Sequence, residues 1–344
     1  MRDLARGRVA LDSGTMAQFD LPLSELQSYR PEVAEPEDFD AFWSATLEEA
    51  RGTDLAPQLV PVENKLSLLD TYDLTYAGYG GAPVRAWLHV PAGSTGPLPT
   101  VVQYHGYSRG RGLPHSSTLW AQAGYAHLVM DTRGQGWRVG GGSETADPSP
   151  DAGLNHAPGF MTAGILDPAT YYYRRVYTDA VRLLDVTRQL PLLDGRVVVT
   201  GHSQGGGLAL VAAGLAPLAG LDLLGVAPDV PFLCHFERAI GLVDSRPYGE
   251  IAEYLSGWRR HVPTALRTLS YFDGVNLARR AQTPALFSVA LMDTICPPST
   301  VYAAFNHYAH PDKQIEVYPF NDHEGGEDHQ TDLQLDWFAA RFAG

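Results

Sequence analysis

Short runs of Val, Leu and Ala, each closed by small or polar residues, recur through most of the chain. They read "PTVVQYHGY", "AHLVMDTRGQG", "GRVVVTGHSQG", "DLLGVAPDVPF", "PALFSVALMD" and "QIEVYPFNDHEGG". Near-continuous apolar runs of this length suit strands covered on both faces of a mostly parallel sheet. Between them the periodicity predicts helices at about 115–123, 169–190, 204–216, 275–281, 298–308 and 329–342. Upstream the pattern changes. "LSLLDTYDLTYAGYGG" and "PVRAWLHVPAG" alternate in polarity around glycines and predict a hairpin. The segment 16–60 predicts a helical N-terminal arm. In it "EPEDFDAFWSATLEEAR" places acidic residues in the first turn and an apolar stripe at Phe39, Phe42, Trp43 and Leu47. The segment 234–270 fits no strand slot and predicts a helical insertion, a lid or wall over a site. Strand–helix alternation gives the fold class: α/β, doubly wound, with an arm and an insertion.

Length and composition narrow this picture. At 344 residues a soft prior of ~150 per domain suggests two units. The continuous strand–helix pattern instead reads as one domain over 16–344, and 44% hydrophobic residues supply a large core. Residues 1–15, "MRDLARGRVALDSGT", have basic residues but neither an apolar h-region nor an A-x-A site. They read as a disordered extension, not a secretory signal. With 25 Lys and Arg against 39 Asp and Glu, the formal charge is −14, which argues against nucleic-acid and anionic-membrane partners. Two cysteines, Cys234 and Cys296, form no disulfide framework and suit a reducing cytoplasm.

The candidate chemistry starts at Gly201-His202-Ser203-Gln204-Gly205, which matches G-x-S-x-G. It follows the strand "VVVT" and opens the helix "GGLALVAAGLA", the setting of a nucleophile elbow. A serine needs a base and an orienting acid. On such folds they follow in the order acid, then histidine. Asp293 in "FSVALMDTICPP" and His323 in "VYPFNDHEGG" each stand just past an apolar strand, where open α/β sheets gather reacting groups. Asp229, after an earlier strand, is the rival for the acid, and position favours Asp293. Asp322 reads as a turn residue, His307 and His310 as surface histidines. An oxyanion hole needs two backbone N–H groups. Gln204 and Tyr107, the latter in "VVQYHGYSRG", are the candidates.

Two other patterns fail. "HEGGEDH" has Glu327 where H-E-x-x-H requires histidine, so no metal site is expected. "RGQGWRVGG" has Val139 where a dinucleotide fingerprint requires glycine. Arg133 there reads as a charge tying loops together.

Together, "RGQG" (133–136), "GHSQGG" (201–206), "HE" (323–324), "HGY" (105–107) and "LMDTICPPST" (291–300) resemble carbohydrate esterase family seven. Its members are acetyl xylan esterases and cephalosporin C deacetylases. The resemblance extends over about 16–342 through "FDLPLSELQSYRP", "FDAFWSATL" and "DPATYYYRRVYTDAVR". It implies an α/β-hydrolase fold that removes acetyl groups from small acetylated sugars and from cephalosporin C. The implied triad is Ser203, Asp293 and His323, with Tyr107 and Gln204 as oxyanion donors. Arg133, Gln135 and Glu324 fall in the family motifs and are expected to be structural. A cytoplasmic homohexamer, a dimer of trimers, is implied, with no metal or organic cofactor. Tyr107, Pro231 and Phe232, with the insertion, are expected to wall the substrate pocket.

Overall fold

The computed structural model describes residues 18–137, 143–148 and 159–344. The extension expected at 1–15 and Val139 lie outside the described residues. The strands are β1 (Gln58–Val62), β2 (Leu69–Ala77), β3 (Pro83–Pro91), β4 (Leu98–Tyr104), β5 (Ala126–Met130), β6 (Leu193–His202), β7 (Gly225–Asp229), β8 (Ala285–Ala290) and β9 (Lys313–Tyr318). They form one sheet in the order β1-β2-β3-β5-β4-β6-β7-β8-β9. Pairing is antiparallel from β1 through β2 and β3 to β5, and parallel from β5 through β4 to β9. The apolar runs thus became the parallel strands. The alternating pair became the β2–β3 hairpin, which turns through Gly80 and Gly81 at φ +61° and +73°.

The helices are α1 (Leu23–Leu26), α2 (Phe39–Arg51), α3 (Leu119–Gln122), α4 (Tyr172–Thr187), α5 (Gln204–Ala219), α6 (Phe236–Leu242), α7 (Tyr248–Gly257), α8 (Val262–Ser270), α9 (Gly274–Ala278), α10 (Pro298–His307) and α11 (Glu327–Ala343). Two expectations need correction. The helical arm expected over 16–60 gives way early: α2 ends at Arg51 and β1 begins at Gln58. β1 is a mostly exposed edge strand carrying Pro61, a residue tolerated only at an edge, so it has no apolar signature. The helix expected at 115–123 shrinks to α3, because Pro114 precedes it and Ser117 takes φ +50°.

Apolar burial explains the layers. Every residue of β5 and β8 is buried, as strands covered on both faces require. Helix α5 is apolar around its circumference and buried along nearly its whole length. On the arm, Phe39, Trp43 and Leu47 are buried. Trp43 stacks on Tyr177, meets Phe272 edge-on, and donates its indole N–H to the Tyr271 carbonyl at 2.9 Å. The apolar stripe is therefore covered by its own chain. Strand order reverses at β4, whose neighbours β5 and β6 lie on opposite sides. A crevice opens at the carboxyl ends of strands at such a reversal.

Candidate active site

The chain leaves β6 at His202 and enters α5 at Gln204, so Ser203 alone makes the corner, at φ +60° and ψ −120°. The neighbouring glycines are required by contact. A Cβ at Gly201 would overlap the Gly205 backbone, and one at Gly205 would overlap the Tyr104 backbone. The corner is pinned by the Ser203 N–H on the Asp229 carbonyl (3.0 Å). The Phe232 and Gly207 N–H groups both donate to the Ser203 carbonyl, at 2.9 Å each.

Beside this corner the three residues singled out by chain order come together. His323 Nε2 lies 2.9 Å from Ser203 Oγ, and its Nδ1 lies 2.9 Å from Asp293 Oδ2. Asp293 is fully buried, and its Oδ1 accepts the N–H groups of Ile295 and Cys296 at 2.8 Å each. Asp322 draws the two loops together by accepting the Thr294 N–H at 2.9 Å. Asp229 is engaged elsewhere, with Oδ2 2.7 Å from His202 Nδ1 and Oδ1 on the Ser288 hydroxyl. Burial disfavours the charged His202 ring, but Asp229 outweighs it and raises the His202 pKa.

The loop after β4 lies against the serine, with Ser203 Cβ only 3.8 Å from where a Gly106 Cβ would sit. Gln204, the first residue of α5, has a backbone N–H with no partner inside the helix. Its buried side chain accepts from Gln135 Nε2 and from the Tyr173 hydroxyl, both at 2.9 Å. Gln135 Oε1 in turn accepts the Ser108 N–H at 2.7 Å. One glutamine thus joins the elbow to the Tyr107 loop. Arg133 is fully buried in a two-point pair with Asp179 and a contact to Asp147, so it ties the loop after β5 to α4. Glu324 is exposed and caps its own turn through Asn321 and the Asp322 N–H.

A cavity of about 990 Å³ opens over Ser203 and His323, lined among others by Tyr107, Trp137, Glu250 and Ile295. Two expected wall residues are not part of it. Pro231 and Phe232 are buried behind the site. Pro231 Cα lies 3.0 Å from where a Gly206 Cβ would sit, and the Phe232 ring packs 4.2 Å from Tyr248. They back the elbow helix. His307 is also buried, not at the surface; its Nδ1 bonds the Ala303 carbonyl one turn earlier. His310 is half-buried and accepts the Asp312 N–H.

Glu250, Trp137 and Ile295 escaped the reading of the sequence. The available signal for Glu250 was an acid among the buried positions of an amphipathic helix, beside Tyr248, Ile251 and Tyr254. Among the described residues, one trio of metal-capable donors, Asp293, Cys296 and His323, lies within 4.8 Å. The carboxylate and the imidazole are hydrogen-bonded within the site, and burial pushes the Cys296 thiol pKa well up, away from the thiolate a metal needs. Among the described residues no helix is long and apolar enough to cross a membrane.

The sequence matches the family model described as Acetyl xylan esterase (AXE1) over residues 16–341. It is similar to acetyl esterase Axe7A of Xylanibacter ruminicola, at 29% identity over 93% of this chain and 74% of that protein. The structure is similar to the acetyl xylan esterase from Paenibacillus sp. R4, with 40% identity, TM-score 0.85, and coverage of 93% of this chain and 99% of that one. It is also similar to acetyl xylan esterase 1 from Thermoanaerobacterium sp. JW/SL YS485, with 32% identity, TM-score 0.85, and coverage of 94% and 100%. The elbow on a mostly parallel sheet and the match along nearly the whole chain lead to one conclusion: this α/β-hydrolase chain is a carboxylic ester hydrolase of the acetyl xylan esterase family.

Proposed function

We propose that the chain is a serine esterase that removes acetyl groups from small acetylated sugars, xylo-oligosaccharides among them, and from cephalosporin C. The observation that carries this reading is the unbroken chain from Ser203 Oγ through the His323 ring to Asp293, opening on the cavity. Ser203 Oγ attacks the acetyl carbonyl while His323 Nε2 takes its proton. Asp293 holds the ring and stabilises the imidazolium. The oxyanion is received by the backbone N–H groups of Gln204 and Tyr107. The C–O bond to the alcohol breaks, and His323 returns the proton to the leaving oxygen. Water then gives a proton to His323 and attacks the acetyl-enzyme. Acetate departs as the proton returns to Ser203. No step calls for a metal or an organic cofactor.

Cavity size supports a sugar-sized alcohol, since pockets for such ligands run ~300–1,000 Å³. The acetyl side is read as narrow, because bulky Tyr107 and Ile295 line the same cavity as Ser203. Overpacking costs ~1–3 kcal/mol, so butyryl esters are expected to react at least ~10-fold more slowly than acetyl esters. kcat/KM for p-nitrophenyl acetate, butyrate and octanoate, then for acetylated xylo-oligosaccharides and cephalosporin C, tests the reading. Preference for octanoate would make it a longer-chain esterase. Cleavage of peptide substrates alone would make it a peptidase. Failure of a fluorophosphonate probe to label Ser203 would make it a binding protein. The same reading includes a cytoplasmic location, supported by two buried free cysteines, and a homohexamer. The hexamer now rests on the family resemblance alone, since the arm's stripe is covered within the protomer; light scattering at micromolar concentration tests it.

A further inference from the structure

Glu250 sits where three walls of the cavity meet. It belongs to α7 of the insertion, is 2% exposed, and lines the cavity. Its Oε1 and Oε2 lie 3.1 and 3.0 Å from the Tyr107 hydroxyl, and Oε2 also accepts the Met161 N–H at 3.2 Å. The Phe160 N–H donates to that hydroxyl at 2.6 Å, so the hydroxyl proton is free for the carboxylate. Gly159 completes the enclosure: it stands at φ +116°, and a Cβ there would overlap the Glu250 carboxylate. Among the described residues, no cation forms an ion pair with Glu250, although burying an unpaired carboxylate costs stability.

We propose that Glu250 is a positioning residue that aims the Tyr107 backbone N–H at the oxyanion; this rests on the reading of Tyr107 as an oxyanion donor. The peptide plane before Tyr107 is held at one end, where the Gly106 carbonyl accepts the Arg109 N–H at 3.1 Å. Two further contacts hold Tyr107 itself. Gln135 holds the next N–H, that of Ser108, whose φ is +70°. Glu250 holds the phenol end of Tyr107 through a charge-assisted bond, the stronger kind. With the Gly106 carbonyl, the Tyr107 side chain and the following N–H all held, the Tyr107 N–H points one way. The insertion is thereby coupled to the chemical step, beyond covering the cavity.

The test measures kcat, KM and Tm with p-nitrophenyl acetate for the intact enzyme, Tyr107→Phe, Glu250→Met, Glu250→Gln and Tyr107→Phe/Glu250→Met. Loss of an oxyanion donor costs ~10²–10³ in kcat, and a misaimed one is expected to cost about 10–100-fold. Tyr107→Phe and Glu250→Met should each show that loss, with KM within about threefold. The double variant should be no slower than the slower single, since coupled residues are non-additive. Glu250→Gln, which keeps an acceptor, should recover most of kcat. Multiplying losses, a loss carried by KM, or an unchanged kcat in Tyr107→Phe would overturn the proposal. Should Glu250→Met not fold, Glu250→Gln against Tyr107→Phe decides, because the phenylalanine variant also loses the Phe160 N–H bond. A kcat that falls in Tyr107→Phe and recovers in Glu250→Gln is expected, and equal kcat in the two overturns the proposal. An intact enzyme inert toward every acetate ester would instead overturn the functional reading.

Discussion

Ser203 keeps a backbone conformation that costs on the order of 1–3 kcal/mol for a residue with a Cβ. Three backbone hydrogen bonds hold it there. Ser203→Ala should therefore abolish turnover with Tm nearly unchanged. Ser203→Gly should also be inactive but melt higher than the alanine variant, because glycine relieves the strain; equal melting points would show that the corner stores none. Asp293→Asn should lose about 10⁴ in kcat, as in serine-protease triads. Asp229→Asn, whose carboxylate serves His202, should lose less than about tenfold. The reverse ranking in steady-state assays would exchange their roles. The meeting of Ser203, Asp293 and His323 was legible because chain order and strand ends determine it. Phe232, His307 and Glu250 were not. Whether a side chain faces a cavity or a core depends on which distant helix covers it, and no local pattern records that.

Helices and strands read well where a long apolar period sets them, and poorly where context does. Helix α4 was visible over 169–190 and runs Tyr172–Thr187. β1 was invisible because it borrows its hydrogen bonds from β2 and buries little of itself. Loops between elements depend on charges whose partners lie far along the chain. Arg133 and Asp179, both 1% exposed, are such a pair. Burial raises the Asp179 pKa, and the Arg133 guanidinium opposes that rise. Arg133→Met leaves the carboxylate buried without its main cation, so unfolding in urea should show a loss of about 3–5 kcal/mol. Arg133→Met/Asp179→Leu should recover part of it. A single substitution costing under 1 kcal/mol would mean that the Arg175–Asp147 pair and the Tyr79 N–H on Asp179 suffice to hold the loops.

At the scale of the whole molecule, stability depends on histidines kept neutral. Burial lowers the pKa of His89, His105 and His235 to about 4, and that of His127 well below the ordinary value. Each has a buried ring nitrogen without a hydrogen-bond partner among the described residues. Below pH ~6.5 the unfolded chain binds protons that the folded one refuses. Their contribution is full above pH ~6.5 and is lost as pH falls toward 4. The histidines should lower Tm as pH falls across that window, against Asp273, whose carboxyl pKa burial raises to about 6 and which acts in the opposite sense. A Tm difference between the intact protein and a His127 variant that does not change from pH 7 to 4 would contradict it. His127→Gln should flatten the dependence.

The arm closes on parts of the chain made long after it. Trp43 waits for Tyr271, 228 residues on, and Asp20 for the Ser299 N–H, 279 residues on. At ~5–20 residues per second, translation leaves that gap open for on the order of 10–60 s. Tyr177, which stacks on Trp43, is made earlier, but Tyr271 and Phe272 complete the cover of the α2 aromatic face only at the end of that wait. A chaperone that shields α2 during the wait should then raise the yield of folded protein in a host cell. Slower elongation, which lengthens the wait, should send more of the protein into inclusion bodies.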